Sequence, residues 1–395
     1  MLEPAGAAST QPRAFLRVGG MTVARQQLSL VLALGCERVV CIAQGLAPEL
    51  IELQHVAEAA KAQFHVVPGA RPLAGLVTAS DEVIALADGL FASAAETASL
   101  LEQGQAVLVQ PIEPGLAAGF ERIDLNLAAA GAMRLPGRLV ERIADLPADC
   151  DAASSLQRIA LQAGVRQRPI PLLGQGDLFW ILVRSEDEAH ALEPQWIRHR
   201  TNDGAPQGPS RWLARLGVRW LGPALLHAGS TAFTVVIAAA AAAMLALGAG
   251  WLALAPLGLA FCALGWVLRE SAVLLARIDS DAGRPLRGLD SRYAYGWLID
   301  AIVVVLAGWG SALEPWQPAY HRFFPVIMLV ALLRILPRSL GPRAAAWLDD
   351  RALLALGLAA AIVAGAGSQA IHLAALAAAL AGMVLPSLTS RLTRP

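Results

Sequence analysis

The sequence predicts a mixed α/β domain followed by an all-α membrane domain with six transmembrane helices. Hydrophobic residues make up 56% of the 395 residues and charged residues 16%, against about 25% charged in an ordinary soluble protein. Short apolar runs alternate with helical stretches before residue 200, whereas six longer apolar runs follow residue 228. This excludes a disordered or fibrous protein and disfavours a wholly soluble one.

The N-terminal half, residues 1–200, contains five short β-branched runs that read as buried strands. They are Arg38–Ala43, Gln63–Val67, Glu82–Ala87, Gln105–Gln110 and Asp177–Val183. Helical stretches lie around them at Met21–Leu34, Pro48–Ala62, Ala92–Gln103, Pro136–Ala144 and Ala152–Ala163. This alternation predicts a mostly parallel sheet covered on both faces, with ligands bound at the carboxyl ends of its strands.

The C-terminal half, residues 228–395, contains the six apolar runs, which are rich in Ala and Gly. They are Ser230–Leu247, Trp251–Leu268, Trp297–Trp309, Phe323–Pro337, Ala352–Ala366 and Ala370–Leu388. Several are shorter than the roughly 20 residues that cross a bilayer, so a soluble all-α domain is the alternative. Small residues favour close packing of membrane helices.

The distribution of arginine predicts the orientation of the membrane helices. It clusters in the connection between the second and third runs, in the connection between the fourth and fifth, and in the C-terminal tail, whereas Arg322 alone lies in the connections on the opposite side. The positive-inside rule then places both termini in the cytoplasm. The first 25 residues lack a long apolar run, so no secretory signal is expected. We expect a multi-pass protein of a bacterial-type inner membrane.

Residues 201–227 join the two halves. Thr201–Ser210 is polar and rich in Pro and Gly, which is typical of a linker. Arg211–Leu226 carries arginine at every fourth position (Arg211, Arg215, Arg219) and large apolar residues on other faces. This pattern predicts a basic amphipathic helix at the membrane surface.

Charged residues concentrate at one place in the membrane half. They are Arg269, Glu270, Arg277, Asp279, Asp281, Arg284, Arg287, Asp290 and Arg292, with Asp300 in the third run. Aspartates beside arginines at a membrane face could hold Mg²⁺ and a pyrophosphate. A basic loop with local salt bridges is the alternative. The chain has 31 basic and 31 acidic residues, so no overall field favours nucleic acid.

The membrane half resembles the CDP-alcohol phosphatidyltransferases. Their motif is D-x2-D-G-x2-A-R-x8-G-x3-D-x3-D, and Ala276-Arg277 fits its A-R while Asp290 fits the third aspartate. The other three aspartates fall on Arg269, Ala272 and Ala294. The resemblance implies that Arg277 and Asp290 carry the chemistry. It also implies metal ligation by Asp290, with Asp279, Asp281 and Asp300 as substitutes, and phosphate contacts from Arg269, Arg284 and Arg287.

The N-terminal half resembles the sugar-phosphate nucleotidyltransferases, which are Rossmann-like α/β proteins. Leu2–Gly20 (LEPAGAASTQPRAFLRVGG) is similar to their opening glycine-rich loop, with Gly6 in the loop and Arg13 near its lysine. Glu82–Leu90 looks like the strand whose last aspartate, here Asp88, holds Mg²⁺; a strand-end cap is the alternative. Two further metal aspartates of the family correspond to Leu182 and Arg184, which cannot bind a cation.

The order of the parts resembles the bacterial fusions of an inositol-phosphate cytidylyltransferase with a CDP-inositol:inositol-phosphate transferase. This implies a membrane-lipid and CDP-alcohol or nucleotide substrate class, Mg²⁺ as the possible cofactor, and a homodimer. Three functions remain open: a divergent transferase of phospholipid or phospho-head-group synthesis, a non-catalytic nucleotide- or lipid-binding relative that supports a partner enzyme, and a carrier or channel. The nucleotidyltransferase-like domain is expected to be inactive.

The orientation can be tested by cysteine labelling in intact cells, in a variant whose four native cysteines are replaced. A cysteine at Ser368 should react with an impermeant maleimide, because the arginine distribution places the connection between the fifth and sixth runs outside. A cysteine at Ser280 should react only after the membrane is opened. The reverse labelling pattern would contradict this orientation.

Overall fold

The computed structural model describes residues 3–5, 11–45, 47–147, 150–171, 179–202, 208–226, 231–279, 289–311, 318–339 and 342–392. The chain divides into two compact units. The N-terminal unit comprises the chain up to His199, and the C-terminal unit comprises Arg200–Asp279 and the described residues from Leu289 onward.

The N-terminal unit contains both strands and helices. Its described strands are β1 (Arg17–Val18), β2 (Met21–Thr22), β3 (Arg38–Ile42), β4 (Gln63–Val67), β5 (Glu82–Leu86), β6 (Leu90–Ala92), β7 (Ala106–Pro111), β8 (Leu127–Pro136), β9 (Gln167–Pro169) and β10 (Trp180–Leu182). Its described α-helices are α1 (Val23–Ala33), α2 (Pro48–Ala59), α3 (Leu73–Leu76), α4 (Ala94–Glu102), α5 (Ile112–Ala117), α6 (Ala152–Gln162) and α7 (Glu186–Thr201). A 3₁₀ helix spans Gly137–Asp145.

The strand order differs from the predicted one. A four-stranded sheet has the order β5-β8-β7-β9, and β3 pairs only with β4 among the described strands. Of the described pairs, β3–β4 and β7–β9 are parallel, whereas β5–β8, β7–β8, β6–β10 and β1–β2 are antiparallel. The prediction of a mostly parallel sheet is therefore wrong, because β8 inserts antiparallel between β5 and β7.

Helices cover both faces of the strands, as predicted. Along β3, Cys41 packs in one cluster with Leu28 of α1. Its neighbour Val40 packs on the opposite face, in a cluster with Leu156 of α6. Successive residues of a strand point to opposite faces, so α1 and α6 lie on the two sides of the strands.

The C-terminal unit is helical throughout its described part. Its α-helices are α8 (Pro209–Leu226), α9 (Thr231–Trp251), α10 (Ala255–Asp279), α11 (Leu289–Gly310), α12 (Phe324–Ile335), α13 (Pro342–Leu348), α14 (Arg351–Val363) and α15 (Gly367–Leu392). Three stretches are long and apolar enough to cross a membrane: Ala232–Trp251, Ala255–Ile278 and Gly367–Val384. Ala294–Gly310 and Arg351–Val363 are shorter apolar helices.

Small residues allow the helices of this unit to pack closely. An added Cβ on Gly258 of α10 would lie 2.7 Å from the carbonyl oxygen of Ala246 in α9. Leu259, Val303 and Ala355, from α10, α11 and α14, are buried in one core cluster. The close backbone approach at glycine is typical of helices packed in a membrane.

Helix α8 is present as predicted, and its apolar face points outward. Trp220 is 80% exposed and Trp212 57% exposed, whereas Arg215 is buried. The Nε of Arg211 lies 3.6 Å from a carboxylate oxygen of the buried Glu270 in α10. Arg211 and Arg215 therefore face the unit, whereas Arg219 is exposed. The tryptophans provide the exposed surface that an interfacial helix would bury in lipid.

Substitution of Gly131 in β8 tests the packing of the N-terminal unit at this position. It has φ of +75° where the β7–β8 register shifts, and an added Cβ would lie 3.0 Å from the ring of Phe120 and 3.2 Å from Ala87. Gly131→Ala should therefore lower the thermal stability of the full-length protein in detergent, at a cost of about 1–3 kcal/mol.

Gly164→Ala is the matched control, because Gly164 has the same φ of +75° but open space where its Cβ would lie. It carries only the backbone strain, so its loss of stability should be smaller. Equal losses in the two variants would show that the crowding around Gly131 has no effect.

Candidate functional site

A cavity of about 910 Å³ in the C-terminal unit is lined in part by charged side chains. Helices α10, α11, α12 and α14 provide its lining. The charged residues of that lining are Arg269, Asp300, Arg334, Asp349 and Arg351. This volume is in the range of pockets for small molecules, about 300–1,000 Å³. Charged groups within an apolar helical unit mark a functional site by default.

Asp300 of α11 is the centre of the charged group. It is 3% exposed. Its Oδ2 accepts a hydrogen bond from Arg334 Nε at 2.5 Å, and its Oδ1 accepts one from Arg351 Nε at 2.7 Å. Arg351 is equally buried. One carboxylate thus neutralises one of two guanidinium charges, and the triad has a net charge of +1.

Tryptophan rings hold two of the arginines. The guanidinium carbon of Arg334 lies 3.6 Å from the ring centre of Trp297, and that of Arg269 lies 4.8 Å from the ring centre of Trp266. Arg269 also pairs with Glu270. Cation–π contacts fix the plane of a guanidinium while its edge donors stay available for hydrogen bonds. Planar, oriented guanidinium groups are suited to phosphate oxygens.

A second aspartate positions Arg351. Asp350 caps α14, where its Oδ1 accepts hydrogen bonds from the backbone N–H groups of Ala352 and Leu353. Its Oδ2 accepts a bond from the N–H of Ser210 at the start of α8, at 2.7 Å. Since Asp350 is buried, this pairing joins the first turns of α8 and α14 and fixes the helix start from which Arg351 reaches Asp300.

The structure brings together two of the residues predicted for the membrane site, Arg269 and Asp300. Arg277 lies near the end of α10, where its carbonyl oxygen accepts a hydrogen bond from Arg200 at 2.8 Å. Asp279 ends α10 and Asp290 lies in the first turn of α11, and the side chains of both lie outside the described part. Asp281, Arg284 and Arg287 also lie outside the described residues.

Metal binding remains a prediction. Within the described ranges, no group of three or more His, Cys, Asp or Glu side chains could hold a metal ion. Both carboxylate oxygens of Asp300 accept hydrogen bonds from arginines, and these cations compete with Mg²⁺ for the same oxygens.

Sequence reasoning missed Arg334 and Arg351 as site residues. The available signal was a single arginine inside the fourth apolar run and a single aspartate, Asp300, inside the third. A charge in such a run is costly unless another charge pairs with it. Arg351 was interpreted only as a charge of the connection before the fifth run.

A second candidate site lies in the N-terminal unit, where Arg13 and Asp88 both contact Glu3. Asp88 follows β5, and its Oδ2 accepts a hydrogen bond from the N–H of Glu3 at 3.0 Å. Arg13 forms an ion pair with Glu3. An added Cβ on Gly89 would lie 2.5 Å from the carbonyl oxygen of Val183 and 3.5 Å from Arg13 Cδ. Gly6 lies outside the described residues.

Arg184 is a cation where the resemblance would require a metal-binding acid. Its backbone N–H and its Nη2 donate to Glu188 at 2.9 and 2.7 Å. Burial of Glu188 opposes ionisation, but these hydrogen bonds outweigh it and hold the pKa of Glu188 below its usual value. Leu182, the other replaced position, is buried in an apolar cluster. Arg13 and Arg184 suit an anion better than a divalent cation.

Comparison with known proteins gives no relative. No protein-family model matches the chain, and no curated protein matches it. The interpretation of both candidate sites, the cavity in the C-terminal unit and the site at Arg13 and Asp88, therefore rests on their residues and geometry.

The charge balance in the cavity can be tested with Asp300→Asn. This change should destabilise the full-length protein by about 3–5 kcal/mol, because it leaves two guanidinium groups without their buried counter-ion. Resistance to unfolding by denaturant in detergent measures the loss.

Asp349→Asn is the control, since Asp349 pairs with the same Arg351 at 3.5 Å but its side chain is 66% exposed. An exposed pair contributes about 1 kcal/mol at most. A similar loss of stability in both variants would contradict the role of Asp300 as the buried counter-ion of the two arginines.

Proposed function

We propose that the chain is an integral membrane protein of phospholipid or phospho-head-group synthesis, of the type that the CDP-alcohol phosphatidyltransferases represent. It binds a phosphate-bearing alcohol or lipid in the cavity between α10, α11, α12 and α14. The observation that carries the proposal is the set of three guanidinium groups that line it, Arg269, Arg334 and Arg351, with Asp300 as the buried carboxylate of the lining and Asp349 largely exposed. Glu270, which pairs with Arg269, does not line the cavity.

The chemistry of the cavity supports an anionic ligand that is partly apolar. Two guanidinium groups are oriented by tryptophan rings, and alkyl side chains such as Val304 and Ile327 form the remaining lining. A phosphate with an attached alkyl or alcohol group satisfies both parts of this lining. The buried triad keeps its donors in place before the ligand arrives, which lowers the entropic cost of binding.

For the transfer itself we propose Asp290 and Arg277, which keep both the charge and the family position. A guanidinium at Arg277 would orient the phosphate oxygens through a forked pair of hydrogen bonds. A carboxylate at Asp290 would accept the proton of the attacking hydroxyl. When bound, Mg²⁺ supplies charge neutralisation at the phosphates. Except for Asp300, its predicted membrane-domain ligands have side chains outside the described part.

The proposed membrane arrangement comprises six spans with both termini in the cytoplasm. Three described helices have the length and apolarity of spans, and the other apolar runs would complete the six together with flanking residues. By analogy with the resembled family we propose a homodimer. The N-terminal unit, in this proposal, does not turn over nucleoside triphosphates, because Leu182 and Arg184 replace two acids.

A second candidate function is non-catalytic binding of a nucleotide or lipid in support of a partner enzyme. The Arg184–Glu188 pair and the saturation of Asp300 by two arginines favour it. Arg184 is a cation where a metal-dependent phosphoryl-transfer site needs a carboxylate, and the two arginines occupy the oxygens through which Asp300 would bind a metal. The two candidates share the binding step and differ in turnover.

The experiment uses purified full-length protein in nanodiscs that contain CDP-diacylglycerol. Arg334→Met should weaken retention of the CDP-lipid by roughly tenfold, the loss of one charge-assisted phosphate contact. Arg343→Met, at an exposed position of α13, is the control and should leave it unchanged.

CMP release on addition of Mg²⁺ and an acceptor alcohol separates the two candidates. Release by the wild type that Asp290→Asn abolishes supports transfer. Retention of the CDP-lipid without release supports the second candidate. Absence of specific retention, or equal retention by the two arginine variants, contradicts both.

A further inference from the structure

The charged cavity of the C-terminal unit continues as a groove between α11 and α12. The lining covers part of residues 296–305 on α11 and part of residues 327–335 on α12. Asp300 and Arg334 lie toward one end of these stretches, whereas the lining toward the other end is apolar, as at Val304 and Ile327. The groove thus has a charged end and an apolar end.

The two helices run antiparallel, and they close the groove at its apolar end. Asp300 meets Arg334 near the end of α12. Eight residues further along α11, an added Cβ on Gly308 would lie 2.5 Å from the ring of Phe323, which directly precedes α12. At 1.5 Å per residue, the groove is about 12 Å long between these two contacts. One leaflet of a bilayer has about 15 Å of hydrocarbon, half of about 30 Å, so the groove fits within one leaflet.

Alanine on both helices keeps the groove open. Ala301 of α11 and Ala331 of α12 both line it. They lie at a similar level, because Asp300 and Arg334 meet close by and the helices are antiparallel. Neither side chain is long enough to fill the space between the helices. An unfilled apolar space loses dispersion contacts, so a hydrocarbon chain in the groove would restore them.

The groove opens toward an apolar outer surface. Trp297, Ile327 and Ile335 line it, and all three are exposed. Exposed apolar surface of this kind is typical of a contact with lipid or with another protein. In the proposed membrane arrangement these side chains face the bilayer, so a lipid chain reaches the groove without passing through water.

The polarity of the groove matches that of a phospholipid in the cytoplasmic leaflet. Arg334 lies in the last turn of α12, and Arg351 begins α14. In the proposed arrangement both helix ends lie on the cytoplasmic side, because arginine follows the positive-inside rule. The charged end of the groove is therefore near the head groups, and its apolar end points toward the centre of the bilayer.

We propose that the ligand of the charged cavity is a phospholipid of the cytoplasmic leaflet that enters sideways between α11 and α12, and that one of its acyl chains occupies the groove. Its phosphate contacts Arg269 and Arg334, and its second chain stays in the bilayer. The proposal rests on the proposed phosphate-binding function and commits the cavity to a lipid rather than to a water-soluble alcohol phosphate. Because lipid tails are as apolar as the groove, the groove selects by shape and provides the route of entry.

The test uses the full-length protein in nanodiscs that contain a CDP-diacylglycerol analogue with a diazirine midway along one acyl chain. After illumination, mass spectrometry identifies the labelled peptides. Ala331→Phe fills the groove without changing a charge, and Arg334→Met removes a phosphate contact. Ala360→Phe is the matched control, because it places the same ring at an exposed position of α14 outside the lining.

In the wild type, the label should lie on residues 301–305 of α11 and 327–331 of α12. Arg334→Met should reduce this labelling by roughly tenfold, because the phosphate holds the chain in place. Ala331→Phe should reduce it by about tenfold or more, because a ring and a chain would overpack one space. Ala360→Phe should leave it unchanged. If Ala331→Phe does not fold, Ala301→Phe fills the groove from the facing helix.

Two results would overturn this proposal while the proposed phosphate site stands. One is Arg334-dependent retention of the lipid with the label on other helices, or with labelling that the filling variants do not reduce, which would place the chain elsewhere. The other is Arg334-dependent retention of water-soluble CDP-glycerol without retention of the lipid, which would assign the cavity to a soluble ligand.

Two further results would assign the groove to another occupant and overturn the proposal as well. Labelling of the groove that Arg334→Met leaves unchanged would make it a contact of bulk lipid. An unlabelled groove, together with disulfide-linked dimers of Ala301→Cys in a variant without the native cysteines, would show that a second copy of the chain covers it. Absence of Arg334-dependent retention of both CDP compounds would instead contradict the proposed function itself, and this proposal with it.

Discussion

Burial of a single carboxylate between two guanidinium groups is the interaction on which the C-terminal unit depends. Asp300, Arg334 and Arg351 come from three helices, α11, α12 and α14, and meet where apolar side chains surround them. An unpaired charge in such surroundings would be far too costly. The triad thus fixes how the three helices meet, and its remaining positive charge makes the adjoining cavity attractive to anions.

The supporting contacts extend this constraint. Asp350 ties the start of α14 to the start of α8, and Glu270 holds Arg211 and Arg269 beside α10. With Arg211 and Arg215 on the inside, α8 exposes Trp212 and Trp220. These separate contacts together hold the lining of the cavity, the starts of α8 and α14 and the orientation of α8. The N-terminal unit uses charge in a similar manner: Arg184 and Glu188 pair where the resemblance would place a metal.

The sequence predicted those parts of the fold that local patterns determine. The strands β3, β4, β5 and β7 were predicted because each coincides with a short run rich in β-branched residues. Every long apolar run forms a helix in its described part. Strand β8 was missed because LAAAGAMRLP has no β-branched residue, and its place at the centre of a sheet comes from tertiary context. That one strand turned an expected parallel sheet into a mixed one.

At the candidate site, Arg269 and Asp300 were predicted from their charge alone. Arg334, the partner of Asp300, lies 34 residues away. The lone charges in the third and fourth apolar runs were the available signal for this pair, and local periodicity adds nothing to it.

The central claim is that the arginine-lined cavity binds phosphate, and a crystal structure of the full-length protein with bound CDP-diacylglycerol tests it most directly. The account predicts that the diphosphate lies in the cavity within hydrogen-bond distance of Arg269 and Arg334, with Asp300 still bonded to Arg351. A head group bound elsewhere, with the cavity and the triad unchanged, would contradict it.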